Sequence, residues 1–195
     1  MRRVDITDIG RDQDNYAFHL ARYLFAGRQI KSNEKVLEVG CGTGYGARYL
    51  SDLAKSIVAW DSDDQVQLNW NQFSKAPNLE FRQPDLNEIF DVVISYEVVE
   101  HIALEDLDSY FKGLRSAMHA NSKLFISTPR AIPFEKRSHN RQLHHVYEYS
   151  FVEFRDLLEQ HFGVVLIFSQ NDMLIGTQNP ETAWNFVAIC SNGLD

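Results

Sequence analysis

Residues 36–46 constrain the fold more than any other stretch. They read Val-Leu-Glu-Val-Gly-Cys-Gly-Thr-Gly-Tyr-Gly. Val36, Leu37 and Val39 supply an apolar strand, Gly40, Gly42 and Gly44 a tight turn, and residues 45–53 a helix. Glycine serves such a turn twice: it takes backbone angles closed to other residues, and it lets a ligand come close to the main chain. The helix aims its first free N–H groups at whatever sits above the turn. A nucleotide cofactor suits that place.

The glycines alone do not say which nucleotide. Gly40-x-Gly42-x-x-Tyr45 misses the dinucleotide pattern, and Gly42-x-Gly44-x-x-Ala47 meets only its looser form. Glu38 says more, because it is an acid inside an apolar strand, two residues before the turn. A buried carboxylate is costly unless a cation or a hydrogen-bond donor meets it. It repels a pyrophosphate and attracts an α-amino group or a sulfonium. S-adenosylmethionine (SAM) carries both. The segment resembles the first motif of the class I SAM-dependent methyltransferases. That resemblance implies cofactor contacts from Glu38, Gly40, Cys41, Gly42 and Gly44. The plainer alternative is a structural turn beside a solvated Glu38.

Length and composition bound the rest. The chain has 195 residues, enough for one α/β domain with a full core. No apolar run reaches membrane-span length, and the start Met-Arg-Arg-Val-Asp lacks the apolar core of a signal peptide. Cys41 and Cys190 form no disulfide framework, so a cytoplasmic location is expected. The net charge of −8 argues against general nucleic-acid binding.

Residues 13–30 read as an amphipathic helix carrying Tyr16, Leu20, Tyr23 and Leu24 at helical spacing. Arg22 or Tyr23 on it can meet the cofactor's methionyl carboxylate; equally, the helix can simply pack. The second strand, 56–61, ends in Asp61, placed to accept the ribose hydroxyls. Ser62 follows, and with Gln65 it forms a capping box for the next helix. A third strand, 79–83, precedes Asp85 and Leu86. In the family resembled, such residues contact adenine; Asp85 can instead cap a short turn over 86–89. The fourth strand, 91–95, is a continuous apolar run, as a central parallel strand is. A helix over 105–119, a fifth strand over 123–127 and a helix over 151–161 come next. Asn121 is expected to take a left-handed angle between the first two. Residues 163–169 and 184–191 read as a closing hairpin. The pattern predicts a single-domain, doubly wound, Rossmann-like sheet of seven strands, with one antiparallel strand in that hairpin.

Chemistry gathers after strand four, at Ser95-Tyr96-Glu97-Val98-Val99-Glu100-His101. Ligands of open α/β sheets bind at that end of the strands. A helical turn there would put Glu97, Glu100 and His101 on one face. Two carboxylates and an imidazole can hold a divalent cation or act as a base with its orienting acid. A long connection, 129–149, holds His139, His144 and His145 with Arg130, Lys136, Arg137 and Arg141. Connections of that length are usually functional, and this one reads as a lid or acceptor site.

The Glu-x-x-Glu-His stretch and the later His145-x-x-Glu148-Tyr149-Ser150 resemble two metal-using groups. One methylates the 2′-hydroxyl at small-RNA 3′ ends, the other hydroxyls in ubiquinone biosynthesis. The first implies a magnesium or manganese site at Glu97, Glu100, His101 and His145. Arg22-Tyr23-Leu24-Phe25-Ala26, Gly44-Tyr45-Gly46, Ser127-Thr128-Pro129, Glu153-Phe154 and Phe168-x-Gln170 are more similar to bacterial methyltransferases associated with surface-glycan synthesis. The resemblance implies O-methylation of a sugar, nucleotide-sugar or other small polar acceptor, with the basic residues meeting an anionic group. Tyr96 is expected beside the cofactor. Without a metal, His101 or His145 is the candidate base. An RNA-end 2′-O-methyltransferase and a non-catalytic SAM-binding protein are the alternatives.

Overall fold

Strand alternation builds a core on both sides of one sheet. A computed structural model describes residues 13–63 and 76–192. The helix expected to open at Ser62 and Gln65 lies outside the described residues. Along β1 (Lys35–Val39), Val36 joins Ile57, Ala59, Val92 and Ile94 in one cluster, while Leu37 joins Val58 and Val93 in another. Successive side chains must face opposite ways, so a strand covered on both faces reads as an unbroken apolar run. Helices α1 (Gln13–Gly27) and α2 (Tyr45–Ser51) cover the first face with Tyr23, Ala26, Ala47 and Leu50. Helices α3 (Leu107–Ser116) and α5 (Phe151–Glu159) cover the second with Phe111, Leu114, Phe154 and Leu158.

The remaining strands are β2 (Ser56–Trp60), β3 (Leu79–Phe81), β4 (Phe90–Tyr96), β5 (Met118–Pro129), β6 (Val164–Asn171), β7 (Leu174–Gly176) and β8 (Asn185–Ser191). Their order is β3-β2-β1-β4-β5-β8-β6-β7. β1 through β5 run parallel, β8 pairs antiparallel with β5 and β6, and β7 antiparallel with β6. The order reverses between β1 and β4, and a cleft opens there above the strand ends.

The doubly wound reading holds, but the sheet has eight strands rather than seven. β6 runs on to Asn171, and Asp172 then takes a left-handed φ of 54° that folds Leu174–Gly176 back as β7. Aspartate tolerates that conformation better than most residues. Two strands, β7 and β8, therefore oppose the other six. Asn121 is not left-handed; the left-handed non-glycine residues described are Glu97 and Asp172. The Ser122 hydroxyl does the work at that corner, accepting from the His119 N–H at 2.9 Å and donating to the Phe90 carbonyl at 2.6 Å. The connection over 129–149 is ordered by a 3-10 turn at Phe134–Lys136 and by α4 (His139–His144), whose start is capped by Ser138. No described helix is long and apolar enough to cross a membrane.

The packing of α1 on α2 leaves no room for a side chain at Gly46, where an added Cβ would overlap the Tyr23 ring. Overpacking of this kind costs about 1–3 kcal/mol. Gly46→Ala should lower the melting temperature measurably and displace Tyr23 from the cofactor side.

Candidate active site

The end of β1 carries Glu38, which is 1% exposed. The Tyr23 hydroxyl donates to its Oε1 at 2.6 Å, while Oε2 is buried with no hydrogen-bond partner. Burial pushes the Glu38 carboxyl up to about 8. A cation beside Oε2 would reverse that shift. The chain then turns. Gly40 and Cys41 donate to the Trp60 carbonyl at 2.8 and 3.1 Å, which fastens the turn to the end of β2. Gly42 has φ +54°, and a Cβ added there meets nothing within 4 Å. Its missing side chain leaves open space toward the cleft.

Asp61 follows β2 and is buried. Its Oδ2 accepts the Gly42 N–H at 2.9 Å and its Oδ1 the Asp63 N–H at 3.0 Å. One carboxylate thus ties the glycine turn to the second strand.

A cavity of about 460 Å³ occupies the cleft. Gly40, Cys41, Gly42, Asp61 and Ser62 line one side, and Tyr96, Glu97 and His101 the other. Glu38 and Gly44 are not among the lining residues. Asp85 is exposed, Leu86 is 96% exposed, and neither lines the cavity. The reading by sequence had not named His19, Thr43 or Val98 as cavity residues. His19 was legible in principle, one helical turn before Arg22 on α1.

Arg22 is 1% exposed and lines the cavity. Its Nη1 donates to Gln170 at 3.0 Å, Nη2 meets His19, and Nε is buried without a partner. The Tyr96 hydroxyl donates to the Arg22 carbonyl at 3.1 Å. Across the cavity Glu97 has φ 58°. Its Oε1 accepts from Ser127 at 2.8 Å and Asn185 at 2.7 Å. Burial works against its charge, but Arg22, His19 and these donors hold its pKa below the usual carboxylate range.

The 3-10 turn Val99–His101 comes next. Glu100 is fully buried, with Oε2 accepting from Thr128 at 3.3 Å and Oε1 unpartnered. Burial first, and the Glu97 charge second, push its pKa well up. His101 Nδ1 lies 2.7 Å from the His144 carbonyl, and His145 Nδ1 2.8 Å from Glu148 Oε1. A carbonyl or carboxylate can only accept, so both Nδ1 atoms carry protons and both Nε2 lone pairs remain available. Burial holds the His145 pKa below 6.5. One ligand atom from each of Glu100, His101 and His145 lies within 4.8 Å of the others. Glu97 is not in that group; its carboxylate is engaged by Ser127 and Asn185. A buried unpartnered oxygen and two imidazoles with fixed tautomers are a donor set that fits a divalent cation.

The cations of the 129–149 connection have other work. Arg141 Nε donates to Glu148 Oε1 at 2.8 Å, and Arg137 Nε stands 3.1 Å from Oε2 while its N–H points to the Ile132 carbonyl. Arg130 donates to the Ala183 carbonyl at 2.6 Å. Three of the four basic residues expected to meet an anionic acceptor are thus bound within the connection or to its flank.

A glycine turn between a buried acid and a buried guanidinium suits a ligand that joins a nucleoside to an amino acid. Enzymes that use SAM bind such a ligand. The chain belongs to the methyltransferase-domain family, whose model matches residues 10–165. It is similar to a Mycobacterium tuberculosis protein named as a probable S-adenosylmethionine-dependent methyltransferase, at 29% identity over 63% of this chain and 46% of that one. It is also similar to the mitochondrial ubiquinone biosynthesis O-methyltransferase of Bos taurus, at 31% identity over 50% of this chain and 29% of that one. The chain spans less than half the length of these relatives. A solved structure of DhpI with SAH superposes with a TM-score of 0.68 at 20% identity, covering 96% of this chain and 88% of that one. That likeness concerns the fold.

Proposed function

We propose that this methyltransferase moves the SAM methyl group to a hydroxyl of a small polyhydroxylated acceptor, such as a sugar or nucleotide-linked sugar, uncharged at the reacting end. The observation that carries this reading is the convergence of a Glu100 carboxylate oxygen with the His101 and His145 imidazoles, where His101 lines the cavity. A hydroxyl is a poor nucleophile at neutral pH and needs its pKa lowered or its proton taken. An acceptor that relied on Arg137 or Arg141 for recognition would have to draw them from Glu148; a neutral diol makes no such demand.

SAM supplies an electrophilic methyl on a sulfonium. Glu38 Oε2 would meet its α-amino group, Arg22 its carboxylate, and Asp61 its ribose hydroxyls. Transfer of that methyl to the acceptor hydroxyl would leave S-adenosylhomocysteine (SAH). The acceptor proton passes to an Nε2 lone pair of His145 or His101. Glu100, His101 and His145 would hold a magnesium or manganese ion, which would lower the pKa of a coordinated hydroxyl. Glu97, ionised and facing Arg22, keeps the cavity's charges balanced.

Calorimetric titration with magnesium and manganese, with SAH present, tests the metal assignment. Wild type should bind one ion, and Glu100→Gln should bind none. No binding by wild type would leave a histidine acting as base alone.

A further inference from the structure

We infer that Gln170 is a positioning residue for the cofactor's carboxylate, acting through Arg22, and that the β6–β7 hairpin holds it in place. The inference rests on the assignment of Arg22 to that carboxylate in the proposed function.

Gln170 lies at the last full rung of β6, opposite Asn185 on β8 and Ile175 on β7. Its side chain is fully buried. Nε2 donates to the Phe18 carbonyl at 2.9 Å and to the Asp172 carbonyl at 3.0 Å, which consumes both amide protons. Those two acceptors fix which end of the amide is nitrogen, so Oε1 must face Arg22. Arg22 Nη1 donates to it at 3.0 Å. The Asp172 carbonyl is itself aimed by the left-handed turn that starts β7. The extra strand therefore has a use: it presents one of the two acceptors that orient the amide, and the other comes from α1. The amide clamps α1 to the sheet at the level of its buried cation.

The neutrality of Gln170 matters as much as its place. Arg22 hydrogen-bonds the side chains of Gln170 and His19, it feels the charge of Glu97, and its Nε is unpartnered. A buried guanidinium with an unpartnered N–H still has a place for a ligand's anion. A carboxylate at position 170 would take that place from inside the protein, and the ligand's carboxylate would compete with it. Asn185, on the facing rung, does the corresponding task for Glu97. One cross-strand pair of neutral amides thus orients a cation and an anion on opposite sides of the cavity.

The test compares SAH with its decarboxylated analogue, S-adenosyl-3-thiopropylamine, which keeps the adenosine, sulfur and amine. Dissociation constants are measured by calorimetry for wild type, Gln170→Glu, Gln170→Met and Arg22→Met, each first checked by thermal melting. Gln170→Glu keeps the shape of the side chain if the truncating change unfolds the hairpin. Both Gln170 variants should weaken SAH about tenfold or more, the scale of one charge-assisted hydrogen bond, and leave the analogue within twofold. Equal weakening of both ligands would make Gln170 a packing residue and overturn the inference. If Arg22→Met selectively loses SAH while the Gln170 variants do not, Arg22 still reads the carboxylate and Gln170 does not position it. If Arg22→Met treats both ligands alike, the Arg22 assignment itself fails.

Discussion

Asp61→Ala is expected to lower SAM affinity by about 100-fold or more while the protein still folds. Asp61 sits where β2 ends, and each of its oxygens already accepts one backbone N–H, from Gly42 and from Asp63. A carboxylate can accept about four hydrogen bonds, and the ribose hydroxyls are two strong donors to it. Hydrogen bonds to a charged group contribute about 1.5–3 kcal/mol each, and each 1.4 kcal/mol is a factor of ten in affinity. Alanine removes both ligand contacts and also frees the Gly42 N–H from the second strand. Asp61→Asn keeps one acceptor oxygen and should fall between the two. Calorimetry with SAH reads the affinity, and the melting curve shows whether the loss is local. An affinity within twofold of wild type in Asp61→Ala would remove Asp61 from the ribose.

The glycine turn was legible in the sequence because the backbone itself dictates it. Gly42 and Gly44 carry positive φ, and no other residue type takes up that geometry at so little cost. Glu38 was legible for a related reason: an acid among apolar strand residues must be explained by what it meets. Glu100 and His101 stood out by their spacing, and the structure turns them inward. Other features were written only in three dimensions. The four basic residues of 129–149 look like a ligand patch in a linear string. Glu148, the partner of Arg137 and Arg141, lies in the same string, but the ion pairs form only because the chain folds back over Val146 and Tyr147, whose N–H groups donate to the Glu100 carbonyl. β7 was missed because three residues are too few to show a period, and the residue that makes it, Asp172, signals no more than a turn. Gln170 stands out in the sequence only within a resemblance, and the inferred role depends on Phe18, 152 positions earlier. The short segment after β3 presents Asp85 and Leu86 to solvent, an exposure that residue types alone do not foretell.

His145→Ala is expected to reduce turnover by about 10³-fold or more with SAH affinity within about twofold, because general base catalysis by a placed side chain contributes about 10²–10⁴-fold and His145 is not among the residues that line the cavity at the glycine turn. The pH profile gives a second signature. The His145 pKa is held below its ordinary value by burial, so the imidazole is neutral at pH 7 and its lone pair is available. Activity should therefore be level through pH 7 and fall only below about pH 6.5, where an exposed histidine would already be half protonated. Glu148→Gln separates tautomer from charge. The amide oxygen can still accept the Nδ1 proton of His145, so Nε2 stays the basic nitrogen, but the negative charge that faces Arg137 and Arg141 is gone. If turnover survives in Glu148→Gln and is lost in Glu148→Ala, the hydrogen bond that fixes the tautomer is what the reaction needs. If both lose turnover and the lid melts earlier, Glu148 acts by gathering the two arginines. Full turnover in His145→Ala would remove the imidazole from the reaction altogether and leave Glu100 and His101 to activate the acceptor.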